Sequence, residues 1–135
     1  MLLGGFDQAG LNGAGDSELL GPAEISRWKY PVGLVVLSGC ASGTAAALPG
    51  AGLMGMTRAW LAAGAQAVAS SLWPAPDDSG ELFVALYRHL RRLGSDGHPG
   101  IEAEALRRAQ LEMIRSGTWR SRPSYWAAFF IVGKG

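Results

Sequence analysis

The sequence predicts an α/β domain with a mainly parallel sheet flanked by helices. Two short apolar runs, at residues 34–38 and 67–72, enclose a segment of helical periodicity at residues 53–63. A strand, a helix and a second strand at this spacing are typical of a right-handed crossover unit, in which the two strands run parallel. A third run, SYWAAFFIV at residues 124–132, is apolar almost throughout and predicts a strand covered on both faces.

Three segments have the spacing of helices that bury one face. The segment 53–63 is followed by Gly64, a residue that commonly ends a helix. The segment 78–93 follows a break at Pro74 and Pro76, and the segment 102–116 follows a polar loop. The apolar residues expected to share a face within them are Leu53, Met56, Trp60 and Leu61; Leu82, Leu86, Leu90 and Leu93; and Leu106, Ala109, Met113 and Ile114. Upstream of the first strand, residues 7–15 indicate a loop and residues 16–28 a short helix or turn.

Composition excludes several classes of protein. The 135 residues are 48% hydrophobic and 17% charged, which indicates one globular domain with a real core. A net charge of +1 argues against nucleic acid or an anionic membrane as the main partner. The single cysteine cannot form an internal disulfide, so we expect a reducing, cytoplasmic location. We find no apolar run long enough to span a bilayer and no signal peptide, and we expect no metal or other cofactor.

The most informative residue is Cys40, because it follows the first predicted strand through a turn of small residues, Ser38 and Gly39. Ligands and chemistry collect at the carboxyl ends of strands in open α/β folds. A thiol on a rigid support at that edge is a candidate nucleophile. The alternative is that Cys40 is a small, inert, buried side chain, as free cysteines commonly are.

A glycine pattern offers a different class of function. Residues 50–55, GAGLMG, match the GxGxxG fingerprint of dinucleotide-binding domains and open a helix. The fingerprint should follow its strand at once, but eleven residues separate Ser38 from Gly50. Dinucleotide binding is therefore the weaker interpretation.

Five segments, in order along the chain, resemble the CHAT family of caspase-like domains, which belongs to the separase and caspase clan of cysteine peptidases. Residues 34–43 look like the family's strand ending in Ser-Ala-Cys-x-Ser/Thr-Gly, and residues 52–65 like its helix ending in Ala-Gly-Ala. The other similar segments are VASSLWP at 68–74 with the acidic pair Asp77-Asp78 after it, ALRRAQ at 105–110, and the closing YWAAFFIVG at 125–133. The resemblance covers about residues 24–133 and implies a caspase-like fold.

The resemblance implies a function and a role for Cys40. In this family the cysteine attacks a peptide carbonyl, backbone N–H groups including that of the cysteine bind the oxyanion, and a histidine on the preceding strand carries the proton. Cys40 would thus be both nucleophile and oxyanion-hole donor, and the partner would be a protein or peptide substrate. Tetratricopeptide repeats or other regulatory domains are expected in the full-length protein.

The expected histidine is missing from its place, since none of the 39 residues before Cys40 is histidine. We therefore expect residues 1–135 to be one partial CHAT domain, incomplete on its N-terminal side and inactive by itself. The histidines that are present, His89 and His98, are expected to face solvent and not to serve Cys40. The alternative function is a non-catalytic interaction domain of a multidomain signalling or defence protein.

Three residues after the second strand are candidates for a substrate pocket. Ser71 and Trp73 lie at the predicted strand end, and Asp77 lies in the loop that follows it. A carboxylate there would favour a basic substrate side chain by charge pairing. The simpler interpretations are that Ser71 and Trp73 pack against the core and that the neighbouring Asp78 caps a helix.

Overall fold

The computed structural model describes residues 21–37, 52–76, 80–94 and 99–133, and it confirms the α/β prediction. The helices are α1 (Pro22–Ile25), α2 (Gly52–Ala63), α3 (Gly80–Leu93) and α4 (Ile101–Arg115), and the strands are β1 (Leu34–Val36), β2 (Ala67–Ser71) and β3 (Phe129–Gly133). Two short 3₁₀ turns, Trp119–Ser121 and Pro123–Tyr125, lie between α4 and β3.

The three strands form one sheet in the order β1-β2-β3. β1 and β2 are parallel, with Val35 beside Val68, as the strand–helix–strand spacing predicted. β3 is antiparallel to β2, with Val68 beside Val132, so the sheet in the described part of the chain is mixed. β2 is the central strand, and all five of its residues are buried.

Helices cover both faces of this sheet. Phe129, Ile131 and Leu34 pack into a core cluster formed mainly by α3 and α4. Because side chains alternate along a strand, Val68 and Phe130 lie on the opposite face. That face is covered by α2, which contacts β2 and forms a second, smaller cluster with Ile25 of α1.

The helical faces are largely those that the periodicity predicted. Leu82, Leu86, Leu106, Ala109 and Met113 are buried between α3 and α4, whereas Leu90 and Leu93 are partly buried. Ile114 was expected in this core but is 43% exposed. It is adjacent to Met113, which takes the buried position at the end of α4.

The predicted strand at 124–132 is wrong in its first half, because the strand begins only at Phe129. Pro123–Tyr125 adopts a 3₁₀ turn instead, and the indole Nε1 of Trp126 donates to the carbonyl of Ser121 at 3.1 Å. The side chain of Gln110 on α4 then donates to the carbonyls of Trp126 (3.2 Å) and Phe129 (3.0 Å). The bond to Trp126 satisfies a backbone carbonyl in the half of the segment that does not join the sheet.

Gly64 ends α2 in a conformation that a residue with a side chain avoids, since its φ is +118°. A Cβ at this position would lie 3.2 Å from the carbonyl oxygen of Tyr30. We expect Gly64→Ala to lower the free energy of unfolding by about 1–3 kcal/mol, measured by urea denaturation. Gly55→Ala is the control, because its Cβ would make only an ordinary 3.8 Å contact with Pro22; an equal loss in both variants would contradict this explanation.

Glu104 in α4 is held by two guanidinium groups, and this gives a prediction for acidic solution. Its carboxylate accepts hydrogen bonds from Arg107 (2.7 and 2.8 Å) and Arg108 (2.7 Å). These bonds lower the pKa of Glu104 from 4.5 to about 2. A lowered pKa means that the carboxylate stabilises the fold above about pH 4.5 and that this contribution is lost as the pH falls toward 2.

An NMR titration of the Glu104 carboxyl should therefore show a midpoint near 2 in the wild-type chain. The double variant Arg107→Ala with Arg108→Ala removes both donors, so its midpoint should return toward 4.5. A midpoint that is the same in the two proteins would show that the arginines do not hold this carboxylate in solution.

Candidate functional site

The parallel pair β1-β2 brings two strand ends to one edge of the sheet. The backbone N–H of Leu37 donates to the carbonyl of Ala69 at 2.9 Å, so pairing continues one residue beyond the end of β1. The chain that leaves this edge leads to Cys40, three residues later. Cys40 and Asp77 both lie outside the described residues, as does His98.

The end of β2 carries the two described residues of the predicted pocket. Ser71 is the last residue of β2 and is 1% exposed. Its register partner is Phe129, so its side chain lies on the sheet face covered by α3 and α4. Trp73 is 41% exposed and Leu72 46% exposed, so two large apolar side chains are accessible immediately beyond the strand.

His89 was expected to face solvent, and the structure shows that this is wrong. It is 8% exposed on the inner side of α3, and its Nε2 lies 2.8 Å from Oε1 of Glu112 on α4. Arg88 lies 3.5 Å from the other oxygen of the same carboxylate. His89 follows Leu82 by seven residues and Leu86 by three, which is the spacing of the buried stripe, so periodicity contained this signal.

His89 lies well inside α3, nine residues after its first residue, Gly80. α3 begins at Gly80 shortly after β2 ends, and the nine residues from Gly80 to His89 span about 13–14 Å of helix. With its Nε2 held by Glu112, His89 joins α3 to α4. This arrangement explains the histidine as a buried link between helices.

Polar atoms that sequence reasoning missed are buried around α2 and β2. Ser70 Oγ, Thr57 Oγ1 and Trp60 Nε1 are all buried and have no hydrogen-bond partner among the described residues. An unsatisfied buried hydroxyl costs about 1–3 kcal/mol. The only sequence signal was a pair of serines in a strand that is otherwise small and apolar.

The described residues lack two features that define particular classes of site or protein. No group of three or more His, Cys, Asp or Glu side chains is arranged there to hold a metal ion. None of the helices in that part of the chain has the length and apolar character to cross a membrane.

Comparison with known proteins places these features in a family. A family model described as the CHAT domain matches residues 1–134. The chain is 35% identical over 116 residues to Tetratricopeptide repeat protein 28 of Homo sapiens and 37% identical over 118 residues to the protein of that name in Mus musculus. Each match covers 85% of this chain but only 4% of the relative, so the chain spans a small part of the length of these proteins. No solved structure matches the chain significantly.

Proposed function

Because the chain belongs to the CHAT domain family, we propose that it carries the nucleophile of a caspase-like cysteine peptidase, with Cys40 as the attacking thiol. The reaction is hydrolysis of a peptide bond in a protein or peptide substrate. The relatives are tetratricopeptide repeat proteins, and we extend the proposal to such repeats as regulatory neighbours of this domain. The single cysteine fits a reducing compartment, and the proposed location is the cytoplasm.

The observation that carries the proposal is the hydrogen-bonded end of β1 beside β2. The backbone N–H of Leu37 is hydrogen-bonded to Ala69. The three residues that follow Leu37, up to Cys40, can span at most about 11 Å. As part of the proposal, we assign Cys40 to this edge, where the exposed Trp73 also lies. A thiol and an accessible apolar surface within one small region are what a peptide-cleaving site needs.

The chemistry requires a base in addition to Cys40. The thiolate attacks the peptide carbonyl carbon, the oxyanion that forms is bound by backbone N–H groups including that of Cys40, and the amine leaves with a proton from the base. Water then hydrolyses the thioester and regenerates the thiol. His89 is held by Glu112, so we assign the base to a histidine on another segment, as the family pattern implies, and expect the isolated chain to be inactive.

The pocket residues enter the proposal with separate roles. Trp73 is exposed and is assigned a packing contact with the substrate chain. Ser71 is buried, and we propose that it stabilises the end of β2. We propose that Asp77 recognises a basic substrate side chain before the scissile bond.

Cleavage assays on the full-length protein and on residues 1–135 test the proposal. The full-length protein should cleave peptides from a library of basic and apolar sequences, and Cys40→Ala should abolish that activity. Residues 1–135 alone should cleave nothing, and their cysteine should react with iodoacetamide as slowly as an ordinary, unactivated thiol.

Two results would overturn parts of this assignment. Cys40-dependent cleavage by the 135-residue chain would show that its own histidines supply the base. A full-length protein that cleaves no peptide, and whose binding partners are unaffected by Cys40→Ala, would favour the non-catalytic interaction domain.

A further inference from the structure

The outward side of α3 exposes apolar side chains that the core does not use. Val84 is 63% exposed and Tyr87 50% exposed, although both belong to a helix whose other side is fully buried. With 3.6 residues per turn, Val84, Tyr87, Arg88 and Arg91 fall within a sector of about 100°. We name these four residues, with the adjacent Arg92, the α3 outer surface.

This surface is positively charged and mostly unpaired. Arg91 and Arg92 form no ion pair with any described residue, whereas Arg88 lies 3.5 Å from Glu112. Glu81, the acidic residue of α3, is engaged by Arg120 at 3.1 Å. Within the described residues, the α3 outer surface therefore presents two guanidinium groups without an ion-pair partner beside two exposed apolar side chains.

Helix stability explains only part of this pattern. Arginines in the last turn of a helix interact favourably with its dipole, which accounts for Arg91 and Arg92. It does not account for Val84 and Tyr87, which are 63% and 50% exposed to water. Tyrosine and arginine together are typical of protein interfaces, and an apolar strip bordered by positive charge fits a ligand with the opposite pattern.

We propose that the α3 outer surface binds an acidic amphipathic helix of a partner protein or neighbouring domain. Apolar side chains of that helix pack on Val84 and Tyr87, and its carboxylates pair with Arg91 and Arg92. This interaction does not depend on Cys40, so it stands or falls separately from the peptidase proposal.

A binding experiment with designed peptides tests the proposal. The probe is a fluorescent synthetic peptide with Leu on one helical face and Glu on the other, and the control peptide has Lys in place of every Glu. Residues 1–135 and the full-length protein should bind the Glu peptide saturably and the Lys peptide at least about tenfold more weakly. Added salt should weaken the binding, because the charges lie at the surface.

Variants then locate the site. Arg91→Glu with Arg92→Glu, and separately Val84→Ser with Tyr87→Ser, should each weaken binding of the Glu peptide about tenfold or more. Arg58→Glu is the matched control, because Arg58 is also exposed and lies on α2, across the sheet. Binding by Arg58→Glu should stay within about twofold of wild type, and circular dichroism should show that every variant is folded.

Three results would overturn the proposal. One is equal binding of the Glu and Lys peptides, and another is binding unchanged in both double variants. The third is an absence of saturable peptide binding. If the protein then binds vesicles of phosphatidylserine and phosphatidylcholine instead, the ligand of this surface is a lipid membrane.

Discussion

Leu86→Ala is expected to lower the free energy of unfolding by about 2–5 kcal/mol. Leu86 is 0% exposed and lies in the cluster in which α3 and α4 pack against the start of β3. Its neighbours in that cluster include several alanines, among them Ala85, Ala105 and Ala109. Small neighbours on fixed helices cannot fill the space that the lost methyl groups leave, so most of the cavity should persist.

Val84→Ala provides the matched control for this prediction, because it removes apolar atoms two residues away on the exposed side of the same helix. We expect its unfolding free energy to change by no more than about 0.5 kcal/mol. Urea denaturation monitored by circular dichroism measures both variants. Similar losses at positions 84 and 86 would mean that α3 does not pack in solution as described.

The elements predicted most accurately from sequence were those with local signals. The crossover unit, the helix stop at Gly64 and the buried faces of α3 and α4 all follow from residue spacing within a short segment. The parallel pairing of β1 and β2 also followed, because a strand–helix–strand segment of this length has few other topologies. Local periodicity and chain topology were sufficient for this part of the fold.

The errors occurred where tertiary contacts override local pattern. The run at 124–132 is apolar almost throughout, but Pro123 and the bonds from Gln110 place a turn where the pattern indicated a strand. The antiparallel direction of β3 depends on the route taken after α4, which carries no periodic signal. These features depend on residues that are distant in sequence.

The candidate site was predicted mainly through family resemblance. The matched family model confirms that resemblance over residues 1–134, while the roles of Cys40, Ser71, Trp73 and Asp77 stay predictions. The α3 outer surface was not predicted, since Tyr87 and Val84 in an amphipathic helix are indistinguishable by sequence from partly buried residues. Only their exposure in the folded structure separates them.

His89→Ala is expected to cost stability without costing catalysis. The change removes a buried side chain and its 2.8 Å bond to Glu112, so the free energy of unfolding should fall by about 2–4 kcal/mol. His89→Gln retains a side chain that can donate to the carboxylate and should recover part of this loss. Urea denaturation of residues 1–135 measures both changes.

The same two variants, made in the full-length protein, distinguish a structural histidine from a base. Because His89 is buried and its Nε2 is engaged by Glu112 of α4, kcat/KM for peptide cleavage should stay within about twofold of wild type at a temperature where all the proteins are folded. Loss of a general base would lower it by about 10²–10⁴-fold. A fall of that size in both variants, with the fold retained, would make His89 the proton carrier and would require α3 to rearrange in the active enzyme.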